Sequence, residues 1–271
     1  MRTLAAAMTG RLTRMGLNGP AGARKATAFL LGAIDDRLTA ATPHGGLTFR
    51  VANPVERWRA ETLLDKEPDT IAWLESTITA DSVLYDVGAN IGVYALYAAH
   101  IHRGRTRVLA FEPEALNFAR LYQNIFDNNL AATIGALPIA IGKASGVGRL
   151  NLSGFEAGAA RHVAAAAAAE SEMRAEWLIA NSLDAVAAMV GPPWSVPTHL
   201  KIDVDGPELD VLEGAQATLR VPKLRHVLVE LSEASAPAGI EQLAKAGFRL
   251  ASVGEAHSGW ANHIFVREPA A

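Results

Sequence analysis

The sequence contains no cysteine among its 271 residues. Disulfides, zinc–cysteine centres and cysteine nucleophiles are therefore excluded. A cysteine-free chain of this size is expected in the reducing cytoplasm. The sequence also lacks an apolar run close to the roughly 20 residues that a membrane-spanning helix needs, so we expect no transmembrane segment.

A strong net charge is missing as well. The formal net charge is -3 and the isoelectric point is about 6.2, which predicts no overall attraction to nucleic acid. The N-terminus is locally basic, with no acid before Asp35. We interpret it as two helices that pack on the main domain and are broken at residues 16–22. The alternative is a basic amphipathic segment that weakly contacts a membrane surface or a partner.

The dinucleotide fingerprint G-x-G-x-x-G is also absent from the glycine loop of this chain. Residues 85–92 read YDVGANIG, with Gly88, Asn90 and Gly92 preceded by Asp86. A carboxylate beside a pyrophosphate would be repelled, whereas a carboxylate beside a sulfonium or ammonium group is attracted. The loop therefore favours S-adenosylmethionine as cofactor over NAD.

Alternating strand and helix patterns run from residue 82 onward, and half of the residues are hydrophobic. Five β/α alternations followed by a terminal hairpin predict an α/β, Rossmann-like fold with a mostly parallel sheet and helices on both faces. Residues 114–128 predict a helix with Phe118, Tyr122, Ile125 and Phe126 on its apolar face. Residues 133–141 predict the third strand.

Two regions depart from this alternation. We expect residues 1–60 to form a helical and hairpin extension, and residues 61–271 to form the main domain. Within that domain, residues 142–176 interrupt the rhythm, with an extra strand predicted at 148–152. The alanine-rich run HVAAAAAAESEMRAEW is either a helix or a flexible insertion, and the sequence leaves both open.

Acidic residues follow the predicted strands. Glu112 ends the second strand, where an acid can accept hydrogen bonds from ribose hydroxyls; the alternative is an acid that favours the next helix N-terminus. Asp203 and Glu230 end two later strands, and either is a candidate for the base that removes the acceptor proton. Asp205 and Glu208 predict a capping box. Asp203, Asp205 and Glu208 could alternatively bind a divalent cation, but the spacing is no metal signature and we expect no metal.

Several ordered blocks resemble one family. YDVGANIGVYAL, AFEPEALNFARLYQN, IAIGKASGVGRL, NSLD, LKIDVDGPELDVLEGA, HVLVEL and NHIFV follow one another between about residues 62 and 268. Together they are similar to the FkbM family of S-adenosylmethionine-dependent methyltransferases, many of which methylate hydroxyl oxygens of sugars or polyketides. The resemblance implies a class I methyltransferase sheet of seven strands.

The resemblance also implies roles for particular residues. Glu112 would bind the ribose, and Ala140 would lie near the adenine. Glu67 resembles an acid that the family carries ahead of its glycine loop; its alternative is a solvated residue before a helix capped by Asp69. The residues implied to line the methionine part of the cofactor are Asp86, Gly88, Asn90 and Gly92.

The sequence thus predicts O-methylation of a small-molecule, glycan or polyketide-type acceptor. A scaffold that keeps the cofactor fold without turnover is the first alternative, and a nicotinamide-dependent oxidoreductase is the second. The absence of G-x-G-x-x-G and of a Tyr-x-x-x-Lys pair opposes the oxidoreductase. Nucleic-acid methylation is disfavoured because the chain lacks the Asn/Asp-Pro-Pro-Tyr/Phe motif that holds a flipped base.

Overall fold

The structure is a computed structural model that describes residues 36–152, 156–159, 163–165 and 175–267. By its internal contacts the chain separates into two units, Met1–Arg37 and Leu38–Ala271. The basic N-terminal helices predicted from sequence lie outside the described residues.

Thirteen strands and seven α-helices are described, together with one 3₁₀ turn. The strands are β1 (Arg37–Thr42), β2 (Gly45–Arg50), β3 (Val83–Val87), β4 (Arg107–Phe111), β5 (Ile134–Leu137), β6 (Ala140–Gly142), β7 (Gly146–Asn151), β8 (Val163–Ala165), β9 (Ala175–Ser182), β10 (His199–Ile202), β11 (His226–Ser232), β12 (Arg249–Val253) and β13 (Trp260–Val266). The helices are α1 (Pro54–Glu61), α2 (Pro68–Thr77), α3 (Val93–Ile101), α4 (Ala115–Asp127), α5 (Leu183–Met189), α6 (Glu208–Glu213) and α7 (Ala236–Lys245), and the 3₁₀ turn is Thr218–Arg220.

The central sheet has seven strands in the order β12-β13-β11-β10-β3-β4-β5. β11, β10, β3, β4 and β5 are parallel, and β13 is antiparallel to both of its neighbours. All five residues of β3 are buried, as expected for a central strand covered by helices on both faces. The predicted α/β, Rossmann-like architecture with a terminal antiparallel hairpin is confirmed.

Strand β2 of the hairpin β1–β2 packs against helices α1, α3 and α4. Leu47, Phe49 and Ala60 are buried in the same apolar cluster as α3, every residue of which from Val93 to Ala99 is buried. A helix that is covered on all sides must be apolar on all sides, which explains the lack of a polar face in α3. The domain boundary predicted near residue 60 stays a prediction.

Two predicted elements differ in the structure. The expected third strand divides into β5, which belongs to the central sheet, and β6, which belongs to a separate four-stranded sheet of order β6-β9-β7-β8. The predicted apolar face of α4 was wrong in part, since Tyr122 and Phe126 are 50% and 55% exposed. Its buried side is formed instead by Asn117, Leu121, Asn124 and Ile125. Two asparagines face inward because they bond to the backbone: Asn124 Nδ2 donates to Ile91 O and its Oδ1 accepts from Arg50 N.

Residues 142–176, which interrupt the predicted alternation, contain strands where the structure describes them. The extra strand predicted at 148–152 is confirmed as β7, which pairs antiparallel with β8 and β9. The described ends of the alanine-rich run are strands, β8 and β9, and residues 166–174 between them lie outside the described residues. Over the described chain, no helix combines the length and apolarity required to cross a bilayer.

Candidate active site

The glycine loop joins β3 to α3 with three left-handed backbone positions. Gly88, Asn90 and Gly92 have φ angles of 85°, 52° and 91°. A Cβ at Gly88 would come 1.8 Å from the carbonyl oxygen of Asp203. A Cβ at Gly92 would meet Leu121 and Leu96 at 2.5 and 2.6 Å. Asparagine tolerates the left-handed region better than most residues, so G-x-N-x-G suits this turn.

Hydrogen bonds of Glu112 and Asn90 connect the glycine loop to neighbouring segments. The Glu112 carboxylate accepts hydrogen bonds from Asn90 N at 2.7 Å and from Glu114 N at 2.9 Å. Burial raises the pKa of Glu112 to about 7, against these bonds, which favour the ionised form. The Asn90 side chain donates to Ala159 O at 2.8 Å. The cap of α4 is Glu114, which accepts from Leu116 N and Asn117 N, so Glu112 does not cap that helix.

A buried lysine lies beneath the loop. Lys201 is 1% exposed, and its Nζ lies 3.1 Å from Asp203 Oδ2 and 3.7 Å from Asp86 Oδ1. It also lies 5.2 Å from the centre of the Tyr94 ring. Lys201 stands opposite Asp86 in the register of β10 and β3, and it shares a face with Asp203 two residues on. The sequence analysis missed Lys201, although a lysine inside the apolar strand HLKI was a signal that a buried anion lies nearby.

The two carboxyl groups beside Lys201, those of Asp203 and Asp86, have pKa values that are shifted in opposite directions. Burial opposes ionisation of Asp203, but Lys201 and, more weakly, Lys66 hold its pKa below the usual range. Burial raises the pKa of Asp86, in spite of Lys201, with the Asp203 charge adding to the increase. Burial lowers the pKa of Lys201, but Asp203 and Asp86 outweigh it and the net shift is upward. Asp203 is therefore the ionised partner of Lys201.

Three carboxylates meet at the carboxyl ends of β10 and β11. Asp203, Asp205 and Glu230 offer oxygen atoms that all lie within 4.8 Å of one another, close enough to hold a divalent cation. Burial, followed by the charge of Asp203, raises the pKa of Glu230 to about 8. Both residues predicted as candidate bases are thus brought together.

Two predicted caps were wrong. Asp205 does not cap the helix that follows it: Pro207 holds that position, and Asp205 has a φ of 57°. Glu208 Oε1 accepts instead from Gly206 N at 2.8 Å and from Val204 N at 3.4 Å, so the metal cluster considered from sequence includes Glu230 in place of Glu208. The predicted cap Asp69 lies in the first turn of α2, whose N-cap position is taken by Glu67.

Glu67 lines the same cavity as the three carboxylates. Its Oε1 contacts Lys66 Nζ, and its Oε2 accepts from Thr70 Oγ1 at 3.1 Å. Thr70 Oγ1 in turn lies 3.1 Å from Asn262 Nδ2, and Asn262 is the β13 residue opposite Glu230. The contacts with Lys66 and Thr70 fix the position of the Glu67 carboxylate at the cavity.

Two adjoining cavities meet at Gly88. The larger, of about 950 Å³, is lined on its floor by Asp203, Asp205 and Glu230 and elsewhere by Glu67 and Asn90. The smaller, of about 350 Å³, is mainly apolar. Its lining includes Ala140 together with Phe111, Pro113, Ile139, Leu150, Leu178 and Val204. Both cavities include residues from the region around 142–182: residues of β7 and β9 line the smaller cavity, whereas Gly158 and Ala159 line the larger.

The two cavities differ in their chemistry. An apolar slot with few polar groups suits a flat base, and a floor of carboxylates attracts a cation. Asp86 is 1% exposed and faces Lys201, and the 5%-exposed Glu112 is the acid next to the junction. Contact of Asp86, Glu112 or the loop residues with a cofactor stays a prediction.

The sequence is similar to known methyltransferases. The family model of the methyltransferase FkbM domain matches residues 86–250. The hexuronic acid methyltransferase AglP of Haloferax volcanii is 29% identical over 216 residues, which cover 80% of this chain and 83% of that protein.

Solved structures show more distant likenesses. The methyltransferase FkbM of Methylobacillus flagellatus is 17% identical with a TM-score of 0.49, and the match covers 69% of this chain but only 44% of that one. The precorrin-6y C5,15-methyltransferase of Geobacter metallireducens is 12% identical with a TM-score of 0.47, covering 76% and 91% of the two chains. Since the family model spans more than half of the sequence, the chain belongs to the FkbM methyltransferase family.

Proposed function

We propose that this methyltransferase transfers a methyl group from S-adenosylmethionine to a hydroxyl oxygen of a sugar-type acceptor. The observation that carries the proposal is the cluster of Asp203, Asp205 and Glu230 in the larger cavity, which adjoins the apolar cavity at Gly88. The likeness to a hexuronic acid methyltransferase supports an acceptor of the sugar class.

The cofactor would bind across both cavities. The apolar slot that includes Ala140 would hold the adenine, and Glu112 would accept hydrogen bonds from the ribose hydroxyls. A carboxylate has about four lone-pair sites, so the two backbone bonds that Glu112 already accepts leave capacity for a ribose. The loop residues Gly88 and Asn90, together with Glu67, line the larger cavity and would enclose the methionine part, and Gly92 would provide the turn that ends the loop. Asp86 would support the loop from beneath through its contact with Lys201 at 3.7 Å.

The two candidate catalytic residues would have different tasks. When bound, S-adenosylmethionine supplies an electrophilic methyl group on a positively charged sulfur. Asp203, held ionised by Lys201 at 3.1 Å, would stabilise positive charge and is a weak base. Glu230 has a pKa close to neutral pH, which suits a general base. It would take the acceptor proton as the oxygen–carbon bond forms and the carbon–sulfur bond breaks.

Calorimetric titration with S-adenosylmethionine, S-adenosylhomocysteine and NAD tests the cofactor. We expect micromolar binding of the adenosyl ligands, no binding of NAD, and weaker binding to Glu112→Ala. A methyl-transfer assay with methyl glucuronide and methyl glucoside then tests the acceptor, with Glu230→Gln as the impaired variant. Folded protein that binds neither adenosyl ligand would refute the methyltransferase proposal and favour a scaffold, whereas NAD binding would favour an oxidoreductase.

A further inference from the structure

Helix α1 turns one polar-aromatic face toward the larger cavity. Val55, Trp58, Arg59 and Thr62 occupy positions i, i+3, i+4 and i+7, and all four line that cavity. The other side of the helix is buried against the domain through Glu56 and Ala60. These residues precede the segment 86–250 that matches the family model. This wall of the cavity is therefore built by a part of the chain outside the matched domain.

Side-chain hydrogen bonds and an ion pair fix the position of helix α1. Its N-cap Asn53 forms a capping box with Glu56, and Glu56 Oε1 lies 2.5 Å from Arg120 Nε of α4. Asn53 Nδ2 also donates to Ala157 O at 2.9 Å. Buried, fully paired polar contacts of this kind fix side chains in one arrangement. The helix therefore presents a preformed surface to a ligand.

Trp58 is the unusual residue on that surface. Its side chain is left 47% exposed at the cavity wall, although a tryptophan has one of the largest apolar areas to bury. Arg59 and Lys66 lie beside it: Arg59 Nε donates to Gly158 O at 2.6 Å, and Lys66 Nζ is 6.0 Å from the Trp58 ring. In the described part of the chain, no partner is found for the two terminal amino groups of Arg59.

A second tryptophan lines the larger cavity. Trp260 of β13, with His257 and Ser258 of the connection that precedes it, lines the same cavity. A cavity lined by two tryptophans and several carboxylates matches a ring that has apolar faces and a polar rim. A pyranose has C–H groups on its faces, which meet the negative face of an aromatic ring, and hydroxyl groups around its edge.

We propose that Trp58 is the platform on which the pyranose ring of the acceptor stacks, with Arg59 and Lys66 donating to the oxygens at the edge of the sugar. The inference rests on the proposed function, whose acceptor class it explains. A sugar stacked there would occupy the same cavity that Asp203 and Glu230 line. Trp58 is thus a specificity residue, and it takes no part in the transfer of the proton.

Binding of methyl glucuronide and methyl glucoside, measured by saturation-transfer NMR with and without S-adenosylhomocysteine, tests this platform. We expect Trp58→Ala to weaken sugar binding by about tenfold and Trp58→Phe to retain most of it. The matched control is Trp177→Ala, because Trp177 is 74% exposed on β9 and lines neither cavity. Affinity for S-adenosylhomocysteine and the thermal midpoint should stay near the wild-type values in all three variants.

The outcomes separate this inference from the proposed function. Equal sugar affinity in Trp58→Ala and wild type, or an equal loss in Trp177→Ala, would overturn the platform and leave the proposed function standing. Loss of sugar binding only in Trp58→Ala would support it. Absence of S-adenosylhomocysteine binding to the wild type would overturn the proposed function, while the sugar titrations without that ligand would still show whether Trp58 binds a pyranose.

Discussion

Glu230 is expected to set the pH dependence of methyl transfer. Its pKa is raised to about 8, first by burial and then by the neighbouring charge of Asp203. Only an ionised carboxylate can accept the proton of the acceptor hydroxyl, and at about pH 7 roughly one-tenth of Glu230 would be ionised. The value of kcat/KM, which reports the free enzyme, should therefore rise by about tenfold between about pH 7 and pH 9 and then level off.

The Asp205→Asn variant tests how much a neighbouring charge contributes to the raised pKa of Glu230. Asp205 is one of the charges that raise the pKa of Glu230, and the carboxylate oxygens of the cluster lie within 4.8 Å of one another. One charge at that distance amounts to about 3 kcal/mol at an effective dielectric constant of 20. Both residues are partly exposed, so solvent screening reduces this to about 1 kcal/mol. The inflection should therefore move down by somewhat less than one pH unit.

The assay is transfer of a radiolabelled methyl group to a glycoside acceptor at subsaturating concentrations across the alkaline range. Asp81→Asn is the matched control, since Asp81 is exposed at the opposite end of β3 and should leave the profile unchanged. Glu230→Gln should lower kcat by about 10²- to 10⁴-fold. An unchanged inflection in Asp205→Asn, or a wild-type inflection in residual Glu230→Gln activity, would refute Glu230 as the base.

Three further predictions follow from the packing around the site. Gly88→Ala should destabilise the fold by about 1–3 kcal/mol in thermal melting and weaken cofactor binding, because its φ is 85° and the new Cβ would lie 1.8 Å from the oxygen of Asp203. Lys201→Met should cost about 3–5 kcal/mol of unfolding free energy in urea titrations, since it leaves buried carboxylates unpaired; the exposed Lys143→Met is the control and should change little. Glu112 has a pKa of about 7, so calorimetry should show cofactor affinity falling below that pH as the carboxyl gains a proton, and Glu112→Gln should remove the dependence.

Local periodicity explains how much of the fold could be predicted from the sequence. Apolar strands that alternate with helices specify a layered parallel sheet wherever each helix covers the strands beside it. The division of residues 133–141 into β5 and β6 has no such local signal, because the two strands are distinguished by the sheets they join. The apolar face of α4 was predicted in part wrongly for a related reason: Asn124 is buried by backbone partners from distant parts of the chain.

In the candidate site, the positions of the acidic residues could be predicted from the sequence, but their ionisation states could not. Asp203 and Glu230 could be predicted to lie together because both lie near the carboxyl ends of parallel strands, and these ends share one edge of the sheet. Which of them has a pKa near neutrality depends on Lys201, and the pairing of Lys201 with Asp86 depends on the register of β10 with β3. The sequence places Lys201 and Asp203 two residues apart, on one face of a strand. An apolar strand that contains one lysine and ends in an acid therefore predicts a buried ion pair, and that pair leaves the neighbouring carboxylate, Glu230, as the better base.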